Sequence, residues 1–440
     1  MALGGGTWQT QNKVLPGYYV NFTSVPKASA TLSDRGYAAA PFELDWGPED
    51  EVFPVTSGEF QKQSKTIFGY GYDRPEMLPL REIFTHATTV YCYRLGKNAV
   101  KASNDLATAK YGGTRGNSIT ISVATNVDED SKWDVSTLVD GVVVDTQTVE
   151  QAKDLVANDW VTFKTPSLEA SAGKPLTGGE NSSTINGESH QAFLDKIEAY
   201  SYNILCCPSD DPTTVKLYQQ FTSRLRDEVG SKFQLVAWQP ATADYEGIIG
   251  VWNEVTHTSI PDVDKHLLVY WVAGAEAGCA VNKSLTNAKY DGELTIDTDY
   301  TQAELEAALK AGKFLIHNVN GDARVLDDIN TLLTLSDTKG EIFQSNQTMR
   351  VCDQIANDVA VLFATKYLGT VPNDAAGRAS LWGDITKLIQ DLNNIRAVQE
   401  FDPEIVRCEQ GDAKNAVLCT VDGLNIVNAM AKLYMSVIIQ

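Results

Sequence analysis

Residues 432–440, KLYMSVIIQ, constrain the fold of this chain more than any other segment. Side chains alternate between the two faces of a β-strand, and both faces of this segment are largely apolar. The positions on one face are Leu433, Met435, Val437 and Ile439. An unpaired strand of this composition is an aggregation hazard, so the segment is expected to pair with another strand. That strand belongs either to its own domain or to another subunit.

A second candidate strand lies near the other end of the sequence. Residues 17–24 alternate in character, and one face carries Tyr18, Val20 and Phe22. The surrounding residues 1–30 are nearly free of acidic groups and rich in turn formers. We therefore predict a strand within 17–24, so that both ends of the sequence carry a segment able to pair as a strand.

The composition is that of an ordinary globular protein, and its charge narrows the range of partners. The net charge is -21, and a surface this acidic repels phosphate backbones and anionic lipid headgroups. Neither direct nucleic-acid binding nor membrane insertion is therefore expected. The acidity either keeps a crowded protein soluble or tunes repulsion between stacked copies. The first residues lack the basic and apolar regions of a signal peptide, so we expect the chain to be made in a reducing cytoplasm.

Strand and helix patterns alternate between residues 190 and 340. Predicted helices at 191–199, 213–229 and 265–280 alternate with predicted strands at 204–207, 233–238 and 314–317. Thr301 and Glu304 form a capping-box pattern that begins another helix, which ends at Gly312. Alternation of this kind predicts an α/β layer with parallel strand pairing.

The regions on either side of this layer have different patterns. Residues 96–189 contain short β-type runs between Gly, Asn, Asp and Ser clusters, which predicts an all-β domain, and 171–184 read as loop or linker. The remaining predicted elements are helices at 75–86, 349–367 and 375–398 and strands at 89–94, 404–408 and 416–421. The predicted fold class is therefore a multidomain combination of α/β and α+β parts.

No motif of a known chemistry is present. The sequence lacks a phosphate-binding loop, a dinucleotide fingerprint, an H-E-x-x-H pair, a G-x-S-x-G elbow and any CxxC spacing. We therefore predict no catalytic residue, no cofactor, no metal and no enzymatic activity. One alternative stays open, a soluble α/β thiol hydrolase that uses Cys206 or Cys207. The other cysteines in apolar surroundings are expected to be core residues: Cys92, Cys279, Cys352 and Cys419.

Several short motifs, in the same order along nearly the whole chain, carry a resemblance to a known family. They are MALGGGTW at 1–8, NKVLPG at 12–17, DRGY at 34–37, LDWG at 44–47, VYCYRL at 90–95, GTRGN at 113–117, DQIAND at 353–358 and AMAKLYM at 429–435. Through these motifs and their order, the chain resembles the tail sheath proteins of contractile phages and of phage-tail-like (R-type) bacteriocins of Gram-positive hosts.

The resemblance implies a structural subunit of a contractile injection apparatus. Copies would polymerise as stacked six-fold rings around a tail tube and contract to drive the tube through the target envelope. The implied partners are copies of the same chain, the tail tube protein, and baseplate and tail terminator proteins. The resemblance also implies assembly in a bacterial host cytoplasm, as part of a virion or a released tail-like particle. A different structural class, a non-contractile tail tube or a shell protein, remains the alternative.

The resemblance also implies roles for particular residues. An N-terminal arm at 1–30 and a C-terminal arm at 423–440 would exchange strands between subunits, at 18–23 and 433–439, with hinges at 24–29 and 421–424. The residues of these strands are Tyr18, Val20, Phe22, Leu433, Met435, Val437 and Ile439. The helix 375–398 would present a charged face to the tube, or else that face is only solvated. Its residues are Arg378, Asp384, Lys387, Asp391 and Arg396.

The predicted division of the chain follows from these patterns and the resemblance. Between the arms, residues 31–95 together with 341–422 form an inner mixed α/β core domain. Residues 96–189 form an inserted, β-rich peripheral domain, and 190–340 form the α/β middle domain.

Overall fold

The computed structural model describes residues 32–182 and 185–439 of the 440-residue chain. The predicted N-terminal strand with Tyr18, Val20 and Phe22 and the predicted hinge at 24–29 lie outside the described residues.

Most helices begin at a side chain that accepts a hydrogen bond from the first turn. Thr56 and Thr301 form capping boxes with Glu59 and Glu304, so the box predicted at Thr301 is confirmed. The α-helices are α1 (Ser57–Phe68), α2 (Leu78–Phe84), α3 (Gly187–Ile197), α4 (Pro212–Arg224), α5 (Leu268–Gly278), α6 (Gln302–Lys310), α7 (Asn346–Leu362) and α8 (Ala375–Asn394). Single π-helical turns, Leu225–Val229 and Phe363–Tyr367, continue α4 and α7.

The strands are short, and several form only two-residue ladders. In chain order they are β1 (Tyr37–Phe42), β2 (Val52–Thr56), β3 (Thr89–Arg94), β4 (Ala107–Ala109), β5 (Ile119–Thr125), β6 (Trp133–Val139), β7 (Val142–Val149), β8 (Val161–Phe163), β9 (Ser171–Pro175), β10 (Ile204–Cys207), β11 (Gln234–Trp238), β12 (Ile248–Val251), β13 (Val255–Thr256), β14 (Thr295–Ile296), β15 (Lys313–Phe314), β16 (Ile316–Val319), β17 (Asp322–Val325), β18 (Val398–Gln399), β19 (Val406–Gln410), β20 (Val417–Val421) and β21 (Asn425–Ile426).

A seven-stranded sheet forms the central layer, with the order β15-β12-β11-β10-β1-β3-β2. Its strands run parallel except β2, which is antiparallel to β3. Both faces are covered, one by α1, α2 and α5 and the other by α3 and α4. Near-continuous apolar strands such as β10 fit a sheet that is buried on both sides. The predicted α/β layer with parallel pairing is therefore confirmed.

The sheet corrects the predicted grouping of residues 31–95 with 341–422. Strand β1 pairs with β10 through Ala38 opposite Ile204 and Ala39 opposite Leu205, so β1–β3 belong to the layer built by residues 204–314. This pairing crosses the whole inserted β-domain in sequence. Local patterns do not reveal it, because they specify elements and not which strands become neighbours.

Helix α5 packs closely against α2. Apart from Glu276 it carries only apolar side chains and Tyr270, and it is almost wholly buried, as expected of a helix enclosed between a sheet and another helix. Gly274 permits this approach, since a Cβ there would lie 2.2 Å from the carbonyl oxygen of Ile83. The α5–α2 contact thereby brings residues 57–94 and 268–278 into one hydrophobic core.

The inserted domain is built from a four-stranded sheet, β7-β6-β5-β9, and the pair β4-β8. Ile119, Ile121, Val135 and Trp160 lie in its buried core. The predicted loop at 171–184 is corrected in its first part, because Ser171–Pro175 pairs with β5 as an edge strand. Gly173 and Pro175 are typical of loops, so the sequence pattern does not indicate a strand here. An edge strand nevertheless tolerates both residues.

The C-terminal region packs α7 and α8 around their own apolar core. Leu381, Ile385, Leu388 and Leu392 recur along one side of α8 and are buried there. The short ladder β18-β21 and the hairpin β19-β20 complete this region.

Buried ion pairs join α7 to the central layer. Arg350 on α7 pairs with Glu276 on α5, and its Nη2 lies 2.6 Å from Oδ2 of Asp328. Three residues further along α7, Asp353 forms a two-pronged pair with Arg226 at 2.6 and 2.9 Å. Burial, to which Asp328 adds, raises the pKa of Glu276 well above its ordinary value. Removing one member of such a network would leave its buried partners with neither a counter-charge nor water. The intact network therefore fixes α7 on the layer.

Candidate functional site

The C-terminal segment forms no helix or strand beyond β21 within the described residues. Residues 430–439 are exposed throughout, with Leu433 87% and Ile439 90% exposed. The other apolar side chains of the predicted strand are exposed too: Met435, Val437, Tyr434 and Ile438. Pairing of 433–439 inside its own domain, one of the two alternatives, is therefore absent from the described part of the chain. A contiguous exposed apolar segment of this size is typical of an interaction site.

The segment leaves the subunit from a fixed anchor. Val427 donates its backbone N–H to Ala397, Thr348 donates to the side chain of Asn428, and Ala429 donates to Oε1 of Gln347. The last of these hydrogen bonds is 2.9 Å long. The free part of the segment therefore begins after Ala429.

This anchor corrects the predicted hinge at 421–424 and the predicted start of the arm at 423. Strand β21 pairs with β18 downstream of that hinge, with Val398 opposite Ile426 and Gln399 opposite Asn425. Asp422 also donates its backbone N–H to Ile405. The sequence shows no sign of this two-residue ladder, because strands so short have no detectable alternation.

The hairpin β19-β20 has open edges on both sides. Its five cross-strand pairs run from Val406 opposite Val421 to Gln410 opposite Val417, and neither strand pairs with any other described strand. Helix α8 holds the hairpin in place, since the indole N–H of Trp382 donates to the carbonyl of Val406 at 2.9 Å. Arg378 bonds Gln410 at 3.0 Å. A rigidly supported pair of open edges is a ready template for added strands.

The five charged residues predicted to form one face of α8 do not lie together. Asp384, Lys387 and Asp391 follow each other at steps of three and four, away from the buried stripe. Arg378 lies toward the hairpin instead and bonds the carbonyl of Asn373 at 3.1 Å. Arg396 lies beyond the end of α8, at a positive φ of 61°.

The same charges differ in what they bind within the subunit. Asp384 accepts hydrogen bonds from Tyr367 and Lys366 at the end of α7. Lys387 and Arg396 are exposed and form no ion pair within the described ranges 32–182 and 185–439. Of the predicted set, these two cations are the ones whose charge is left available to a partner.

The cysteine chemistry considered above finds no support in the structure. Cys206 and Cys207 are fully buried in β10, and burial raises the pKa of both thiols. A thiol held protonated and away from solvent is inert. Cys92 and Cys279 are buried as predicted, Cys352 is half-buried, and the prediction for Cys419 is wrong because this side chain is exposed.

No other catalytic grouping emerges in the residues that the structure covers. None of their His, Cys, Asp and Glu side chains form a cluster of three or more able to hold a metal ion. His190 is buried against the hydroxyl of Tyr218 at 2.8 Å, and burial lowers its pKa to about 4. This imidazole is therefore neutral at physiological pH. None of the described helices is long and apolar enough to cross a membrane.

Two features of this site were not predicted from the sequence, the anchor at 427–429 and the Arg350 network. A signal for the second is present in α7. Arg350 and Asp353 occupy positions adjacent to Met349 and Val351 on the core-facing side, where a charged residue requires a buried partner. The sequence does not reveal which residues those partners are.

Models of phage tail sheath domains match the chain in consecutive segments. They are the N-terminal region of domain III of the tail sheath protein Gp18 at 35–95, the sheath beta-sandwich domain at 95–181, the central domain at 183–331 and the C-terminal domain at 338–440. The phage-like element PBSX protein XkdK of Bacillus subtilis is 32% identical over 473 residues, which cover 99% of each chain.

Solved structures agree with these matches. The sheath tail protein of Desulfitobacterium hafniense has a TM-score of 0.78 and 34% identity, covering 89% of this chain and 93% of its own. The helical sheath of the anti-feeding prophage in its contracted state has a TM-score of 0.57 over 97% of this chain and 99% of its own. Its identity is 14%, so this likeness concerns the fold alone.

Proposed function

The chain belongs to the phage tail sheath family, and from this premise we propose that it polymerises as stacked six-fold rings around a tail tube and contracts to drive the tube through a cell envelope. Membership makes it a structural sheath protein, a component of a virion or tail-like particle. The ring arrangement and the stroke are the proposed part. The likeness of its fold to a sheath solved in a contracted state supports them.

The observation that carries the proposal is the exposed apolar segment after Ala429. A monomer gains nothing from exposing five or more large apolar side chains in one run, whereas a polymer buries them at each contact. In the proposed assembly Leu433, Met435, Val437 and Ile439 form a strand on a neighbouring subunit. The N-terminal arm, through Tyr18, Val20 and Phe22, is proposed to do the same.

The hairpin β19-β20 is the proposed acceptor. Neither of its outer edges pairs with another described strand, although the Val406 carbonyl already accepts a hydrogen bond from Trp382. An added strand on each side would give a four-stranded sheet composed of three chains. Main-chain hydrogen bonds of this kind do not depend on how the donor subunit is oriented, provided that the connecting residues bend. Residues 430–432 are the proposed connection, because they follow the anchor directly.

Strand exchange of this type explains how a lattice could rearrange without coming apart. The Arg350 and Asp353 ion pairs hold the acceptor region firmly on the central layer, so each subunit would move as one body. The bending would then concentrate in the short connections. Baseplate and tail terminator proteins are the proposed partners at the two ends of the polymer.

The tube contact is proposed for the exposed side of α8. Lys387 and Arg396 are free cations in a chain whose net charge is -21, and they lie on the side of the C-terminal region away from its core. Arg378 and Asp384 are less suited to this role, because contacts within the subunit already occupy them.

Negative-stain microscopy of the purified protein tests the proposed assembly. We expect striated hollow cylinders of two lengths, one extended and one contracted. The double variant Met435→Asp/Val437→Asp should give dispersed particles, because two carboxylates would be desolvated in the new sheet. Smooth tubes or closed shells from the unmodified chain would contradict the contractile sheath and favour the alternative structural class.

A further inference from the structure

The cross-strand cysteines of the hairpin β19-β20 form a pair that the proposed function does not use. Cys408 and Cys419 occupy directly opposed positions of the antiparallel register, and their sulfur atoms lie 2.7 Å apart. Both are free thiols, Cys408 half-buried and Cys419 exposed. Elsewhere in the described chain the cysteines are buried or half-buried, so this pair combines proximity with access.

The geometry suits a covalent bond. Opposed residues of an antiparallel pair have Cα atoms about 4.5 or 5.5 Å apart, and both spacings lie within the range of about 4.4–6.8 Å found in disulfides. The backbone therefore does not have to move to form the bond. Strands β19 and β20 are held together by five cross-strand pairs and by the α8 contacts of Trp382 and Arg378, so the opposed positions are fixed.

We propose that Cys408 and Cys419 are a modification site, at which a small-molecule disulfide converts the two thiols into an intramolecular disulfide. The thiolate of Cys419 attacks the reagent R–S–S–R, which breaks its S–S bond, forms the mixed disulfide Cys419–S–S–R and releases one R–S⁻. The sulfur of Cys408 then attacks that of Cys419 and releases the second R–S⁻. The two thiols lose two protons and two electrons, and the reagent is reduced to two thiols.

The order of the two steps follows from access. Cys419 is exposed, whereas desolvation and its contact with Cys419 raise the pKa of Cys408 to about 12. Because the thiolate is the reactive form, Cys408 is the slower thiol toward an external reagent and acts as the resolving one. Its proximity to Cys419 compensates for this in the second, intramolecular step.

The cross-link would join the two edges that the proposed function assigns as strand acceptors, and this consequence rests on that function. A disulfide there fixes the register of β19 against β20 when a neighbour's strand pairs with either edge. Thiols stay reduced in a cytoplasm and oxidise outside it, so the bond would form after a particle is released. It would stiffen the lattice after assembly without being needed for it.

The test uses the full-length chain, purified with a reductant and transferred to a glutathione buffer rich in oxidised glutathione. We expect intact-mass analysis to show the loss of two hydrogen atoms per chain, and peptide mapping without reductant to link 408 to 419. The rate should not depend on protein concentration, because both thiols belong to one chain. Persistence of the free thiols, or a link to any other cysteine or chain, would overturn the proposal.

Single variants separate the two roles. Cys408→Ser should accumulate a stable glutathione adduct on Cys419, whereas Cys419→Ser should form an adduct on Cys408 much more slowly. Cys352→Ser is the matched control and should form the 408–419 link at the unmodified rate. Thermal unfolding of the reduced variants reports whether each is folded, and Cys408→Ala replaces Cys408→Ser if the latter is not. Equal adduct rates on Cys408 and Cys419 would refute the assigned order.

These measurements use the chain alone, so a negative result leaves the proposed sheath assembly intact. Conversely, a chain that forms the disulfide but no cylinders would retain the modification site and lose its structural consequence.

Discussion

The seven-stranded sheet and the C-terminal region differ in whether their apolar segments are buried. Strand β10 is buried on both faces between α5 on one side and α3 and α4 on the other. Residues 433–439 are equally apolar, yet they are exposed and unpaired in the described chain. The first arrangement completes a core within one subunit, whereas the second leaves an apolar segment exposed, which we propose pairs with a neighbouring subunit. Apolar character alone therefore does not separate a buried core strand from an exposed segment.

The largest effect on the folded subunit is expected where the two regions meet. Arg350→Ala removes the cation that pairs with Glu276 and Asp328, both fully buried. Leaving buried carboxylates without a partner costs about 3–5 kcal/mol of the free energy of unfolding. Denaturant unfolding measures it, and Lys387→Ala, an exposed position, is the control expected to stay within about 0.5 kcal/mol. Equal stability of the two variants would mean that the network does not join the regions.

The second effect is a pH dependence of the free energy of unfolding, and it arises in the central layer. Glu82 is buried, and burial raises its pKa to about 7, although it accepts hydrogen bonds from Tyr290 and from the backbone N–H of Glu293. Its unfolded pKa is about 4.3, so between these values the unfolded chain has released a proton that the folded chain retains. The contribution of Glu82 to the free energy of unfolding is fully present below about pH 4.3 and is lost as the pH rises to about 7, by up to about 4 kcal/mol.

Denaturant unfolding at a series of pH values checks this slope, and Glu82→Gln supplies the comparison. The amide does not titrate, so the variant should lose this part of the pH dependence while keeping a similar volume. A slope that is unchanged in Glu82→Gln would assign the effect to other groups and refute the role of Glu82.

The smallest effect on the subunit is expected on the outer side of α8. Lys387→Glu/Arg396→Glu should change the free energy of unfolding by less than about 1 kcal/mol, since neither residue has an ion pair within the described chain. Cosedimentation with tail tubes should nevertheless weaken, while polymerisation of the sheath is unaffected. The matched control reverses two exposed lysines elsewhere, Lys62→Glu/Lys310→Glu. Equal tube binding by both double variants would remove α8 as the tube contact.

Much of the local structure could be predicted because it depends on neighbouring residues. Thr301 and Glu304 determine the start of α6 by reciprocal hydrogen bonds, and the apolar run at 204–207 is strand β10 as predicted. Contractile-sheath motifs spread along the chain also predicted the family correctly. Features of this kind do not require knowledge of which distant elements are in contact.

Features that depend on distant contacts could not be predicted. The β1–β10 pairing joins residues separated by the inserted domain, and the Arg350 network joins α7, α5 and the residues around 328. Composition misled the prediction for Ser171–Pro175, because edge strands tolerate Gly and Pro. The five charged residues predicted for one face of α8 do not share that face, and this too depends on tertiary structure. Arg378 bonds Gln410 of the hairpin, and Arg396 lies past the helix end.

We propose that the C-terminal segment is an assembly strand and not part of the subunit's core. Deleting 433–440 tests it most directly, with sedimentation velocity and microscopy for assembly and thermal unfolding for the fold. Val142→Asp, which places a charge on an exposed apolar residue of the inserted domain, is the control and should still assemble. We predict that the deleted chain melts at the unmodified temperature and sediments as single subunits. Ordered sheaths from the deleted chain, or a large drop in its melting temperature, would contradict the account.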